Sequence, residues 1–245
     1  DEALRFLGRR HTGRQAREAV ETALAAGFDT VSVDLIFGLR GQTAAEWQVQ
    51  LATAVALEVQ HLSCYQLTIH ERSRFGVQAK HGRLAELPED EQATLFELAH
   101  RFLADAGWPA YEVSNFAREG EEARHNLVYW RAGFWLALGP AATGQYPGEG
   151  GAYALRRTAP PLPRWLRGEA PKEEAISPLE HAKESLMLGL RLREGVDVGA
   201  VEERTGLALF PLLQGRAEEL AQEGLLQVRG KRLLPTPKAF PLLHR

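Results

Sequence analysis

The chain has 245 residues, of which 44% are hydrophobic and 25% charged, a composition typical of folded globular proteins that excludes a disordered or collagen-like chain. A net charge of -3 excludes a global positive field that would attract nucleic acid or anionic lipid, although local basic patches remain compatible with it. The single cysteine, Cys64, excludes an internal disulfide and a site built from several thiolates, and no apolar run is long enough to span a membrane, so a cytoplasmic location is expected.

The first half of the chain alternates between helix and strand patterns. Apolar residues at helical spacing predict a helix from Thr12 to Gly27, and a period of two predicts a strand from Phe28 to Phe37. The capping-box pattern Thr43-x-x-Glu46 begins a second helix, and a second strand is predicted from Leu62 to Ile69. This order favours a parallel sheet of βα units and therefore an α/β fold.

The middle of the chain is predicted to be less regular. Pro88 begins a third helix that Gly107 ends, and a short strand is predicted over Tyr111–Ser114. Glycine and proline are dense from Gly144 to Pro171, which predicts irregular surface structure or a connector. We therefore place a domain boundary near residue 172.

A second, smaller domain is predicted after this boundary. The segment Ser177-Pro178-Leu179-Glu180 has the capping-box pattern and begins a helix with Leu179, Ala182 and Leu186 on its apolar face. Two further helices are predicted over Ala200–Arg204 and Leu212–Glu223, followed by a hairpin within Leu225–Leu234. Helices followed by a hairpin are typical of a winged-helix-like domain.

Asp34 is the first candidate binding residue. A carboxylate near the carboxyl end of a parallel strand lies where such sheets bind ligands, and it can accept hydrogen bonds from ribose hydroxyls. The alternative is a structural acid that binds loop amides. The turn Gly38–Thr43 resembles a phosphate loop but lacks the lysine of such loops, so we interpret it as a capped turn, and we interpret Cys64 as a buried apolar residue.

The densest cluster of functional residue types spans residues 111–118 and 124–130. It combines an imidazole, basic groups and aromatic faces, a mixture suited to a flat anionic ring system such as haem. The alternative is that Tyr129 and Trp130 pack in a core while His125 and Asn126 bind loop backbone. The other histidines have no spacing typical of a zinc site.

An ordered set of motifs extends over most of the chain. The set comprises Leu7-Gly8-Arg9-x-His11, Asp34-Leu35-Ile36-Phe37-Gly38-Leu39, Gly41-Gln42-Thr43, Tyr65-Gln66-Leu67-Thr68-Ile69, Tyr111-Glu112-Val113-Ser114-Asn115-Phe116-Ala117, His125-Asn126-x-x-Tyr129-Trp130 and Gly139-Pro140. Together these motifs resemble those of the HemW family, which are haem chaperones of the radical S-adenosylmethionine superfamily. The related oxygen-independent coproporphyrinogen oxidases share the Asp34 strand but lack the His-Asn-x-x-Tyr-Trp motif.

The resemblance implies two sets of site residues. In the family, the residues that match Arg9 and Asp34 bind the methionine carboxylate and the ribose of S-adenosylmethionine. The His-Asn-x-x-Tyr-Trp segment is implicated in haem binding, so His125 becomes the candidate iron ligand. Asn126, Tyr129 and Trp130 would then shape the haem site.

The main departure from the family is the missing cysteine motif. Family members carry Cys-x-x-x-Cys-x-x-Cys, which holds a 4Fe-4S cluster, whereas this chain has one cysteine. The resemblance therefore implies the carboxyl-terminal portion of such a protein, which is not expected to be catalytic alone. Its expected domains are part of a (β/α) radical-SAM-type barrel over residues 1–112, a motif-bearing segment and connector over 113–171, and the winged-helix-like domain over 172–245.

Three functions are compatible with these residues. The leading hypothesis is haem binding and delivery to an acceptor protein, with haem as the ligand and no nucleic-acid partner. The alternatives are a coproporphyrinogen III oxidase-like radical enzyme of porphyrin biosynthesis, and an interaction module that binds no cofactor. A partial barrel also leaves the edge of the strand at residues 31–37 unpaired, so self-association is expected.

Overall fold

The computed structural model describes residues 1–82, 84–149 and 152–243. The chain forms two compact units, Asp1–Glu122 and Ala123–Arg245, which we call the first and second units. The boundaries expected from the sequence at residues 112 and 171 stay predictions. No helix in the described ranges is both long and apolar enough to cross a bilayer.

The first unit contains a three-stranded sheet and five helices among its described residues. In chain order, the elements are α1 (Glu2–Phe6), α2 (Gly13–Ala25), β1 (Ser32–Phe37), α3 (Ala44–Val55), β2 (His61–Gln66), α4 (Arg74–Lys80), α5 (Glu89–Asp105) and β3 (Asn115–Ala117). The sheet order is β1-β2-β3, with β1 parallel to β2. The parallel pair and the α2, α3 and α5 helices agree with the sequence prediction.

The strand predicted over Tyr111–Ser114 is wrong, and the sheet of the first unit is mixed where the order of elements favoured a parallel sheet. β3 begins at Asn115 and runs antiparallel to β2. The reason is a tight turn in which the Tyr111 N–H donates to the Asn115 carbonyl at 3.1 Å. Tyr111, Glu112 and Val113 are therefore buried in a turn, where the side chain of Glu112 accepts a hydrogen bond from the Asn115 side-chain amide.

The core of the first unit lies between the sheet and helices α3 and α5. Thr43 and Glu46 form the predicted capping box at the start of α3, which places Trp47 and Leu51 on its buried face. The Trp47 ring stacks on Phe37 of β1, and its Nε1 donates to the Leu95 carbonyl at 3.1 Å. This packing fixes α3 against the strand that carries Asp34.

The second unit contains two three-stranded sheets and six helices among its described residues. In chain order, the elements are α6 (Arg124–Trp130), β4 (Thr143–Pro147), β5 (Ala154–Thr158), α7 (Leu162–Trp165), β6 (Lys172–Ile176), α8 (Pro178–Gly189), β7 (Val196–Asp197), α9 (Val198–Thr205), α10 (Phe210–Gln222), β8 (Leu226–Arg229), β9 (Arg232–Pro235) and α11 (Phe240–Leu243). The sheet orders are β4-β5-β6 and β7-β9-β8, and all their pairs are antiparallel.

Two details of the second unit correct the sequence prediction. The segment Gly144–Pro171 is not irregular, because it contains most of β4, all of β5 and the α7 turn. These strands have five residues each, too few to reveal a period among the surrounding glycines and prolines. Leu179 is half exposed, whereas Ala182 is buried and Leu186 packs against the core, as predicted. The buried face of α8 also carries the polar residues His181 and Ser185, which the apolar pattern did not include.

The winged-helix-like part agrees with the prediction. Ser177 and Glu180 form the predicted capping box of α8, and the β8–β9 hairpin turns at Gly230. Helices α8, α9 and α10 pack with the hairpin around a core that includes Val198 and Val201. The carboxylate of Glu202 accepts hydrogen bonds from the N–H groups at the start of α10, a cap that the sequence pattern did not reveal.

Candidate functional site

The candidate site is built on α6, which carries the His-Asn-x-x-Tyr-Trp motif. His125 and Tyr129 lie one turn apart, with their rings edge to face and 4.9 Å between centroids. The Tyr129 hydroxyl lies 3.3 Å from Nε2 of His125. His125 is exposed, whereas Asn126, Tyr129 and Trp130 are half-buried. The motif therefore presents an accessible imidazole beside partly covered aromatic rings.

These aromatic residues form one wall of a cavity of about 340 Å³ in the second unit, which we call the aromatic cavity. Its volume lies within the range of small-molecule sites. Tyr129 contacts Trp135 edge to face, with 4.8 Å between ring centroids. The lining residues are Asn126, Tyr129, Trp130, Ala132, Trp135, Gln145, Arg156, Glu184, Met187 and Leu188. The structure thus brings together Asn126, Tyr129 and Trp130, with His125 joined to them through Tyr129.

A polar network forms another part of the aromatic cavity. Nη2 of Arg156 donates to both oxygens of Glu184, at 3.1 and 2.8 Å, and to Oε1 of the buried Gln145 at 2.8 Å. Nε2 of Gln145 donates in turn to the Gly133 carbonyl at 3.0 Å. The positive charge of Arg156 is therefore already balanced by a carboxylate inside the cavity wall.

The indole of Trp130 has an unusual polar environment. Its Nε1 is buried and has no hydrogen-bond partner among the described residues. An unsatisfied buried donor costs about 1–3 kcal/mol, so such groups in native structures call for an explanation. Among the described residues, the Trp130 N–H is therefore an incomplete polar contact at the wall of the aromatic cavity.

The first unit contains a separate hydrogen-bond network of Ser32, His61 and Tyr111. Oγ of Ser32 lies 2.7 Å from Nδ1 of His61, and Nε2 of His61 lies 3.0 Å from the Tyr111 hydroxyl. Burial lowers the pKa of His61, and the negative charge of Asp34 acts in the opposite direction.

Burial raises the pKa of the Cys64 thiol, and the negative charge of Asp34 raises it further. Cys64 is thus a buried neutral thiol, as the sequence suggested.

Glu112 is the most deeply buried acid of this region. It is fully buried, and burial raises its pKa, although hydrogen bonds from Asn115 and from neighbouring backbone N–H groups oppose the shift. Oε2 of Glu112 has no partner among the described residues. Sequence reasoning placed Glu112 in a functional cluster but gave no sign that it would be fully enclosed.

The structure places Arg9 and Asp34 on the surface of the first unit. Arg9 follows α1, and both side chains are exposed. Asp34 lies in the middle of β1 and not near its carboxyl end as expected, because the strand begins only at Ser32. Within the described residues, no hydrogen bond or ion pair joins these two side chains. The nearby Gly38–Thr43 segment is a capped turn, as predicted, in which Oε1 of Gln42 accepts from the Gly38 N–H at 2.8 Å.

The residues of this chain do not fit an iron–sulfur cluster. The sequence contains one cysteine, which is buried in β2, and a 4Fe-4S cluster takes several thiolates. Over residues 1–82, 84–149 and 152–243, no three His, Cys, Asp or Glu side chains are grouped to hold a metal ion. A single axial histidine on haem iron needs no such group, so His125 remains a suitable candidate.

Several residues of the aromatic cavity could not be found from the sequence. Trp135 lies outside the motif, and Gln145, Arg156 and Glu184 come from β4, β5 and α8. Glu184 and Leu188 lie four residues apart on α8, so they share a helix face, and both line the cavity. Only the tertiary arrangement of the second unit brings these elements to α6.

Comparisons with known proteins agree with the motif analysis. The HemN C-terminal domain family matches residues 176–242. The heme chaperone HemW of Synechocystis is 36% identical over 201 residues, which cover 80% of this chain and 48% of that protein. The heme chaperone HemW of Lactococcus lactis is 30% identical over 244 residues, which cover 98% of this chain and 63% of that protein. This chain therefore spans about half to two thirds of the length of these relatives.

A solved structure has a similar fold. Coproporphyrinogen III oxidase (HemN) from Escherichia coli, a radical SAM enzyme, superposes with a TM-score of 0.73 at 17% identity, over 99% of this chain and 59% of that chain. At this identity the likeness shows the fold alone, which is that of part of a radical-SAM-type protein followed by a carboxyl-terminal domain. On its motifs, its relatives and its fold, this chain belongs to the HemW-type family of radical S-adenosylmethionine proteins.

Proposed function

We propose that this chain binds haem as cargo and contributes the haem-binding part of a HemW-type haem chaperone. The observation that carries the proposal is the aromatic cavity, which is lined by Asn126, Tyr129 and Trp130 and adjoined by the exposed His125. Relatives that share about a third of its residues are named heme chaperones. A cytoplasmic location and delivery to an acceptor protein are parts of the same proposal.

His125 is the proposed iron ligand. Its exposure leaves the imidazole accessible to a ligand at the surface. The Tyr129 hydroxyl at 3.3 Å can hold one ring nitrogen, so that the other is directed to the iron. Tyr129 is thus a positioning residue for His125, and its contact with Trp135 fixes its own ring.

The rest of the aromatic cavity suits the porphyrin ring. Tyr129, Trp130 and Trp135 offer aromatic faces and edges, and Met187 and Leu188 offer apolar contacts. Arg156 is held by Glu184 and Gln145, so its role in the proposal is to shape the wall. No histidine is among the residues that line the cavity, so the adjoining His125 is the one imidazole that the proposal uses.

Arg9 and Asp34 remain proposed contacts for S-adenosylmethionine. A guanidinium can pair with the methionine carboxylate, and a carboxylate can accept hydrogen bonds from the ribose hydroxyls. Both side chains are exposed and therefore accessible. Reductive cleavage of S-adenosylmethionine draws its electron from an iron–sulfur cluster, for which this chain holds no ligand set, so we assign no reaction step to its residues.

Haemin titration of the purified chain tests the proposal. We expect a Soret band that saturates near one equivalent, and a changed band and weaker binding in His125→Ala. Tyr129→Phe is expected to weaken binding less, because it keeps the aromatic ring and loses only the hydroxyl at 3.3 Å from Nε2.

The matched control is His11→Ala, which removes an exposed histidine of the first unit. This variant is expected to titrate like the wild type. Identical haemin titrations for His11→Ala, His125→Ala and the wild type would contradict the assignment of His125. Absence of haemin binding by the wild type would favour an interaction module that binds no cofactor.

A further inference from the structure

A second cavity of about 340 Å³ lies in the second unit and shares the wall residue Trp130 with the aromatic cavity. We call it the arginine cavity, because Arg131, Arg204 and Arg232 line it. Two acids, Glu194 and Asp197, also line it, so its charged residues carry a net charge of +1. None of these five charged residues belongs to the His-Asn-x-x-Tyr-Trp motif.

Two of the three arginines are already paired. Nη2 of Arg131 lies 2.9 Å from Oε1 of Glu194, and Nη2 of Arg232 lies 3.0 Å from Oδ2 of Asp197. These pairs neutralise two positive and two negative charges of the cavity. The surplus charge is therefore that of Arg204.

Arg204 makes no ion pair with any described residue. Its Nε donates to the Ala200 carbonyl of its own helix at 3.2 Å, and neither Nη has an acceptor in the described part of the chain. A guanidinium presents five N–H donors in a planar fork that matches a carboxylate. The two Nη groups of Arg204 can therefore donate to a carboxylate at the wall of the cavity.

A second group near the cavity also lacks an acceptor. The buried Nε1 of Trp130 is an unpartnered donor, and Trp130 lines both cavities. Ser185, which is buried, adds a hydroxyl that lies 3.2 Å from Nε2 of His181. The Trp130 N–H and the two Nη groups of Arg204 are thus donors without an acceptor among the described residues, and an anionic ligand would complement the Arg204 guanidinium.

We infer that the arginine cavity binds a propionate carboxylate of the tetrapyrrole, with Arg204 as its partner, while the ring lies against Trp130 in the aromatic cavity. The inference rests on the proposed haem binding. It follows from the shared Trp130 wall, because a tetrapyrrole carries carboxylates on short side chains at the edge of its ring. The free carboxylate of a small acid is the alternative source of the same chemistry.

Three ligands separate the contributions of iron and carboxylate. Haemin has both, haemin dimethyl ester has iron without free carboxylates, and iron-free protoporphyrin IX has carboxylates without iron. In Arg204→Gln we expect about tenfold weaker binding of haemin and protoporphyrin IX and unchanged binding of the dimethyl ester. Arg204→Lys keeps the charge without the fork and is expected to lose less.

Arg193→Gln is the matched control. Arg193 is an exposed arginine outside both cavities, with no ion pair to any described residue. The Arg193→Gln variant is expected to bind all three ligands like the wild type. Equal melting temperatures of Arg193→Gln and Arg204→Gln would show that both variants are folded. Competition between excess acetate and protoporphyrin IX would show that the site accepts any small carboxylate. That result would overturn the specific assignment to propionate.

The two proposals fail in different ways. If Arg204→Gln binds haemin as tightly as the wild type does, the carboxylate site is wrong and the haem site stands. The same conclusion follows if Arg204→Gln weakens the binding of haemin and of its dimethyl ester by the same factor. If His125→Ala binds haemin like the wild type but Arg204→Gln does not, the iron ligand is wrong. If the wild type binds neither haemin nor protoporphyrin IX, both proposals are overturned.

Discussion

The imidazole of His181 stacks on the phenol ring of Tyr153, with 3.6 Å between ring centroids and 18° between ring planes. His181 is fully buried on α8, its Nε2 lies 3.2 Å from Oγ of Ser185, and its Nδ1 has no partner among the described residues. A charged imidazole would lose hydration in this place without gaining a carboxylate at hydrogen-bond distance. The neutral form is therefore strongly favoured.

This environment predicts acid sensitivity of the second unit. Burial and the charge of Arg204 lower the pKa of His181 from 6.5 to about 4, while Glu184 acts in the opposite direction. Between these two pH values the unfolded chain binds a proton that the native chain does not, so stability is complete above pH 6.5 and falls as the pH drops towards 4. The maximal loss is about 3 kcal/mol, at about 1.4 kcal/mol for each pKa unit.

Urea unfolding of His181→Phe at several pH values measures this loss. Phenylalanine keeps a ring to stack on Tyr153 and cannot take up a proton, so the decline in the free energy of unfolding between pH 6.5 and 4 should become shallower. Leu179→Phe is the control, because Leu179 is half exposed on the same helix and the variant keeps His181. Parallel declines in all three proteins would contradict the prediction.

Gly195 is predicted to be intolerant of any side chain. A Cβ atom there would lie 2.0 Å from the Leu233 carbonyl oxygen in β9, and its φ of 66° is strained for other residues. Because backbone atoms of β9 cannot move aside, we expect Gly195→Ala to lower the free energy of unfolding by about 3 kcal/mol or more. Thermal unfolding followed by circular dichroism measures the change.

Gly215 provides the matched control for this substitution. It lies within α10, and no atom lies within 4 Å of a Cβ built there. Gly215→Ala should therefore raise stability by up to about 1 kcal/mol through helix propensity. A stable Gly195→Ala variant would mean that β7 and β9 can separate at this point.

Local patterns predicted the elements whose ends are capped by their own side chains. The capping boxes at Thr43 and Ser177 and the turn at Gly230 are encoded within a few residues, and the structure confirms them. The strand predicted over Tyr111–Ser114 is wrong because Tyr111, Glu112 and Val113 are all buried in a turn, and residues of strand-forming types can be buried in a turn as well as in a strand. The hydrogen bond from the Tyr111 N–H to the Asn115 carbonyl closes this turn, and β3 begins only at Asn115.

The residues of the candidate site that the sequence could predict are those that lie on a single helix. The residues from His125 to Trp130 lie on α6, so their spacing and their resemblance to a known motif were enough to select them. Arg156, Glu184 and Arg204 come from β5, α8 and α9, and their proximity to the motif depends on tertiary packing. The sequence also gave no reason to separate paired arginines from the unpaired Arg204.

The hydrogen-bond network of the first unit predicts unequal effects of two conservative substitutions. Tyr111→Phe leaves Nε2 of the buried His61 without its hydroxyl partner, which should cost about 1–3 kcal/mol. Ser32 is exposed, so water can replace its hydroxyl in Ser32→Ala and the cost should be below about 1 kcal/mol. Urea unfolding of the two variants measures the difference, and equal losses would mean that His61 is not held mainly by Tyr111.

The free edge of β1 predicts self-association of the isolated chain. Among the described residues, β1 pairs with β2 on one side and has no strand on the other. Its unpaired backbone groups and the half-buried Val33 and Leu35 offer a template for a second strand. We expect the weight-average mass in sedimentation experiments to rise with protein concentration. Val33→Lys should reduce this rise by adding a charge to the edge strand.

Val49→Lys controls for the added charge. Val49 is 65% exposed on α3, away from the strand edge, so this variant should associate like the wild type. Equal suppression by both lysine variants would indicate general charge repulsion and not pairing through β1. A wild-type mass that stays at the monomer value of 27.2 kDa over the accessible concentration range would contradict the prediction. The edge would then be too short or too twisted to recruit a second copy of the chain.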